Sequence, residues 1–193
     1  MRRPIALALV LTAAALPAFA ASADWRRDAR PADARRLARL DEAWSQALRE
    51  ARAGSPRQLR ALGPLADPAA ALPSRPQPTP GPYRCRTVKL GGISGATAYG
   101  WFRCRVELTP GGDLILAKTT GSQRPTGHLY PDGERRLVYL GAVAWGNEGP
   151  ARYGRDPERD QVGVVERIGP QTWRLVLPFP KQESTLDIIE LRR

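Results

Sequence analysis

Histidine occurs once in this chain of 193 residues, as His128, and cysteine twice, as Cys85 and Cys104. That supply cannot furnish the three or four nitrogen and sulfur ligands of a zinc or iron site, so no metal centre and no cofactor are expected. Lysine is scarce as well, at Lys89, Lys118 and Lys181, yet the chain is basic: arginine supplies 27 of the 30 cationic residues against 19 carboxylates, for a formal charge of +11. Beyond the first twenty residues no apolar run approaches the roughly 20 residues that a membrane-spanning helix needs. Two catalytic signatures are also missing: the spacing of a phosphate-binding P-loop, and a serine on a strand-turn-helix elbow.

What is present begins with "MRRPIALALVLTAAALPAFAASADW". Arg2 and Arg3 precede an apolar stretch from Ile5 to Leu16, and small residues follow Pro17. This order is that of a secretory signal peptide over residues 1–23, with small-x-small cleavage positions after Ala20 and after Ala23, the second leaving a polar Asp24 start. The expected location is across the inner membrane, in the periplasm. Removing residues 1–23 leaves 170 residues with 28 cations against 19 carboxylates, a net +9. An exported chain of that charge suits an anionic envelope component or another exported protein as partner, and nucleic acid is not expected. A coding bias toward arginine, alanine and proline accounts for the charge equally well.

The remainder divides by pattern. From Pro31, "PADARRLARLDEAWSQALREARAG" spaces Leu37, Leu40, Trp44, Leu48 and Ala51 by threes and fours, predicting one amphipathic helix that stops at Gly54. Ser55 and Gln58 predict a capping box for a second helix ending at Gly63, and Asp67 a further helical turn. Residues 24–72 thus form a helical segment, and the proline-rich 73–82 an extended linker. Residues 83–193 read as strands near 83–90, 99–108, 114–119, 135–145, 162–168, 172–177 and 185–191, with a short one near 127–130. Turns at 109–113, 130–133 and 168–171 join sequential strands. The fold class is therefore mainly β with an N-terminal helical segment: an antiparallel meander closing into a lipocalin-like barrel of seven or eight strands, an open sandwich being the alternative. The strand 137–145 is apolar at both parities, so both its faces need cover, and the N-terminal helix can supply one.

The two cysteines recur in matching contexts, "YRCR" and "FRCR". In an oxidising compartment, on consecutive strands, they are expected to form a structural disulfide. If they point inward with Thr87, Phe102 and Val106, strand parity sends Arg84, Arg86, Arg103 and Arg105 to the opposite face. Four guanidinium groups together need an anion. It is either internal, from Asp41, Glu42 and Glu50 or from the 155–160 loop, or an external partner, which makes the four a candidate anion patch. Two polar segments are candidate ligand sites: Lys118, Ser122, Gln123 and Arg124 around Gly121, and Tyr153, Arg155, Asp156 and Asp160 in the longest loop, with Glu183 near them. Catalysis has less behind it. Ser122, His128 and Asp132 hold the elements of a hydrolytic triad without its arrangement, and Asp156, Asp160 and Glu183 lack a diagnostic glycosidase spacing.

The motifs "YRCR", "FRCR", "TGSQRP", "YGRD" followed by "ERD", "VERIGP", "WRLVLP" and "ESTLDIIEL" together resemble the bacterial exported family called domain of unknown function 4893. The resemblance runs from Asp24 to the last strand and implies a signal-bearing protein, helical at its start and strand-rich after it, with no assigned activity. The positions that match the family's polar motifs are Lys118, Gly121, Ser122, Gln123, Arg124, Tyr153, Gly154, Arg155, Asp156, Arg159, Asp160, Glu166, Arg167, Glu183, Ser184 and Asp187. Arg30 stands where a capping threonine is expected before Pro31, and Gln182 where an aromatic residue is expected before Glu183. The leading functional expectation is a non-enzymatic binding module using the polar segments 118–124 and 153–160 at one end of the barrel. A small-ligand carrier with its ligand inside the barrel and a cell-envelope hydrolase are the alternatives, and inhibition of an exported protease is a further one by analogy of fold.

Overall fold

The periodic N-terminal run does become helix, in pieces. The computed structural model describes residues 24–193, so the signal-peptide reading of 1–23 lies outside the described residues. Helices α1 (Trp25–Asp28), α2 (Pro31–Ala38), α3 (Leu40–Gly54) and α4 (Pro56–Ala61) follow one another closely. The single helix expected over 31–54 is broken at Arg39, whose φ of −98° and ψ of 19° leave the helical region. All five residues of the predicted apolar stripe are buried nonetheless. The capping box expected at Ser55 does not form, since its side chain makes no cap hydrogen bond. Asp67 does cap its short turn, accepting from the Ala69 amide at 2.9 Å.

Nine strands follow: β1 (Gly81–Leu90), β2 (Ala96–Ala98), β3 (Phe102–Leu108), β4 (Leu114–Lys118), β5 (Gln123–Pro131), β6 (Arg136–Trp145), β7 (Asp160–Gly169), β8 (Thr172–Pro178) and β9 (Leu186–Arg192). β1 pairs with both β2 and β3, successive strands pair antiparallel from β3 to β9, and β9 pairs back onto β1 to close an eight-stranded barrel. The strand expected over 99–108 is divided. Val88–Leu90 pairs with β2 while Gly81–Cys85 pairs with β3, so the two short strands share one side of β1. Residues 99–101 leave the ladder, although the Tyr99 amide still bonds the Thr87 carbonyl at 2.9 Å. The proline-rich stretch lies against the protein, with Pro76 and Pro78 buried, and β1 starts within it at Gly81.

Two apolar layers hold the fold. Tyr83, Cys85, Cys104, Leu137, Tyr139 and Trp173 are among the residues that fill the barrel interior. Val138, Leu140, Val164, Val176 and Ile188 face outward from the same strands and pack under the helical Leu37, Trp44 and Leu48. Alternation along β6 explains its double apolarity: odd positions 137 and 139 go inside, even positions 138 and 140 meet the helices. Gly127 and Gly141 are register partners on β5 and β6, and a Cβ on either would collide with the Tyr139 side chain. The interior is therefore packed with side chains.

Arg174 ties the helical segment to the barrel wall. Fully buried, it bonds Glu166 at 2.8 Å and the carbonyls of Leu65 and Asp67 at 3.1 and 2.6 Å, with the Trp44 ring 5.0 Å away.

Candidate functional site

Strand direction places one set of loops, 91–101, 119–122, 146–159 and 179–185, at the same end of the barrel. All nine candidate ligand-binding residues lie at that end, on those loops or on the strand ends beside them. Several are engaged in holding the end together. Arg124 donates to the carbonyls of Gly121 at 3.1 Å, of Glu148 at 2.6 Å and of Gly146, which joins two loops. Tyr153 donates its hydroxyl proton to Asp33 at 2.6 Å and accepts from the Arg30 amide at 2.9 Å. Arg30, in the position where a capping threonine was expected, instead reaches Asp160 at 2.9 Å and the Gly154 carbonyl. Asp160 also accepts from the Gly154 amide at 2.8 Å, and its burial pushes its carboxyl pKa up. Asp156 bonds the Glu158 amide at 2.9 Å and lies 3.4 Å from Arg159. Arg159 pairs with Glu148, holding that carboxyl down at about 2. Ser122 and Arg155 are exposed, with no side-chain hydrogen bond among the described residues.

Lys118 is different. Its amine is buried, donates to the Gln123 carbonyl at 2.7 Å and lies 4.0 Å from the centre of the Phe102 ring. No carboxylate reaches it among the described residues, and burial, with Arg124 nearby, lowers its pKa to about 8. A second buried lysine, which the sequence reading passed over, is paired: Lys89 lies 3.4 Å from Asp187 and 3.3 Å from Glu183. Lys89 and Asp187 are register partners on β1 and β9. Ser184 donates to Asp187 at 2.5 Å, and desolvation pushes the Asp187 carboxyl up. Glu183 and Phe179, in the loop above, both have positive φ, 68° and 45°, a conformation that costs non-glycine residues energy. Between the Lys89–Asp187 pair and Trp145 a cleft opens into a cavity of about 40 Å³, with Gln123, Gln161, Val143 and Leu177 among its walls. The signal that could have found it is the parity of Lys89 and Asp187, charged residues on the inward faces of otherwise apolar strands.

The triad elements are pulled apart. Ser122 precedes β5 and Asp132 follows it, so the two stand at opposite ends of a nine-residue strand, about 30 Å of extended chain. Asp156 and Asp160 are held by arginines and Glu183 lies beside Lys89, which leaves none of the three as an uncommitted carboxylate for glycoside chemistry. No group of three or more metal-ligating side chains occurs among the described residues.

On the wall, Cys85 and Cys104 form the disulfide, with Cα atoms 5.8 Å apart. It runs diagonally, because Cys85 is the register partner of Phe102 and Cys104 that of Tyr83. The alternating arginines project outward. Their internal anion is neither a helix carboxylate nor the 155–160 loop, as the sequence suggested, but Glu190 of β9, which lies 2.5 Å from Arg86 and 2.5 Å from Arg192. Glu50, by contrast, bonds Gly92 and Thr185, and Glu42 pairs with Arg39. Arg105 pairs with Glu107 at 2.9 Å. Arg84 and Arg103 stand directly opposite each other across β1 and β3, and neither forms an ion pair among the described residues. Trp101, 37% exposed, lies with its ring 4.9, 5.1 and 5.3 Å from the guanidinium groups of Arg84, Arg86 and Arg192.

A family model described as a domain of unknown function (DUF4893) matches residues 25–191. No curated protein and no solved structure matches the chain.

Proposed function

The chain belongs to the DUF4893 family, and we propose that it is an exported, non-enzymatic binding module that takes an anionic component of the cell envelope on its arginine face. The observation that carries this reading is the Arg84–Arg103 pair: two like charges held as cross-strand neighbours, a destabilising arrangement, with no carboxylate between them among the described residues. A sulfate, phosphate or carboxylate placed there relieves the repulsion and gains charge-assisted hydrogen bonds from two planar donors. Trp101 holds the neighbouring Arg84 by cation-π contact, which limits the side-chain entropy lost on binding. The net charge of +9 expected after loss of residues 1–23 would draw such a partner in. Export rests on the leader-like opening of the sequence, with which the disulfide is compatible.

The test is binding of residues 24–193 to dextran sulfate, with uncharged dextran as control. Binding should weaken steadily as salt rises. An Arg84→Ser, Arg103→Ser double variant should bind about tenfold more weakly, which corresponds to about 1.4 kcal/mol. Salt-independent binding, or a double variant that binds like the parent, would sink the reading.

A further inference from the structure

We propose a second site, at the mouth of the barrel, for a neutral polyhydroxylated ligand: the end of a saccharide that inserts one hydroxyl-bearing arm beside Gln161. The charges lining the cleft are balanced, with Arg36, Lys89 and Lys181 against Glu158, Asp160 and Asp187. Lys89 faces Asp187 and Glu183, Lys181 lies 3.2 Å from Glu158, and Asp160 is held by Arg30. Apart from the Nε of Arg36, whose guanidinium is paired with Asp33 at 2.7 Å, and the Asp160 oxygen that faces Arg30, what remains unsatisfied is neutral. The side-chain carbonyl oxygen of Gln161 is buried without a hydrogen-bond partner among the described residues, a state that costs free energy until a donor arrives. The side chain of Gln123, on the same cavity wall, likewise makes no hydrogen bond among the described residues. Deeper in, the buried Tyr139 hydroxyl is also unpartnered and lies against Gly141, the register partner of Gln161.

Size and shape fit one arm of a sugar. A cavity of about 40 Å³ has room for a hydroxymethyl group but not for a ring. The ring itself would rest at the opening against Trp145, which the Arg159 guanidinium fixes from 4.2 Å. An aromatic wall, three primary amides (Gln123, Gln161 and Gln182) and no net charge form a set that matches hydroxyl groups, which both donate and accept, better than it matches an ion. The Glu183 carboxylate, 3.3 Å from Lys89, leaves Lys89 less free to attract an anion.

Saturation-transfer NMR and tryptophan fluorescence on residues 24–193 test this directly, with glucose, N-acetylglucosamine, maltose and chitobiose as probes and with glycine and dextran sulfate as charged controls. At least one neutral sugar should bind, Gln161→Leu should weaken it about tenfold, and Trp145→Ala should abolish the fluorescence change. The Arg84→Ser, Arg103→Ser variant should bind the sugar unchanged, which separates this site from the arginine face. Gln161→Leu should melt no lower than the parent, because it removes an orphaned acceptor; should it fail to fold, the exposed Gln123→Ala takes its place in the titration and should also weaken binding. Silence from all four sugars, tighter binding of glycine, displacement of the sugar by dextran sulfate, or full binding by the glutamine variants would each overturn the assignment.

Discussion

Lys118 gives the clearest single-residue expectation. Its pKa is about 8 in the fold against 10.5 as the ordinary value, so the folded state holds the proton less tightly than the unfolded chain. A base whose pKa is depressed by folding destabilises the fold fully below the lower value, and the penalty fades as pH rises from about 8 to 10.5. Lys118→Met is therefore expected to melt higher than the parent at pH 7, with the difference shrinking as melts are repeated up to pH 10. A difference that stayed constant would show that the charge is not the cause. The cysteines carry a second expectation. Closing a loop of 19 residues should contribute about 3 kcal/mol, so a Cys85→Ser, Cys104→Ser variant should lose that much in urea unfolding. The pairing was legible from the expected compartment and the strand neighbourhood, and the outward arginines from parity alone. Glu190 as their anion was not, because it is 104 residues from Arg86 and becomes its neighbour only when the barrel closes.

Among the elements, the helical segment depends on a few polar anchors as much as on its apolar stripe. Arg174 is the strongest: with no exposure and with bonds to Glu166 and to carbonyls of 64–68, its truncation leaves several buried acceptors unpaired. Arg174→Met should cost about 3–5 kcal/mol by urea titration, and Arg174→Lys should recover only part, since an ammonium cannot reproduce the planar fork. At the other end, Tyr153→Phe removes the hydroxyl that joins Asp33 to the Arg30 amide and should cost about 1–3 kcal/mol. Faster amide exchange confined to Pro31–Ala38 would locate that loss. The stripe on α3 and the two-faced strand β6 could be read from periodicity, because each period maps directly onto a buried face. The division of 99–108 could not. Tyr99 and Trp101 alternate as a strand should, but Trp101 is drawn onto arginines from β1 and β9, a contact that no local pattern encodes. The mouth cleft escaped for a similar reason, since Gln161, Lys89 and Asp187 come from three strands and only the barrel brings them to one wall.

At the scale of the molecule, a filled barrel under a helical cover leaves two kinds of accessible chemistry: a cationic outer face and a charge-balanced mouth. The class of fold, closure included, was visible from strand count and turn chemistry, whereas the register in which β9 meets β1 was not. That closure sets an order of assembly. Residues Gly81–Leu90 belong to the first long strand made and Leu186–Arg192 to the last, yet they are neighbours over seven register pairs. Until β9 is inserted, β1 and β8 each present a bare edge of unpaired backbone, an invitation to pair with another chain. Contacts of such sequence separation are slow to form. A nascent chain whose β9 has not yet joined β1 is therefore an open sheet, and resistance to proteases is expected to arrive in one late step, when β9 takes its place.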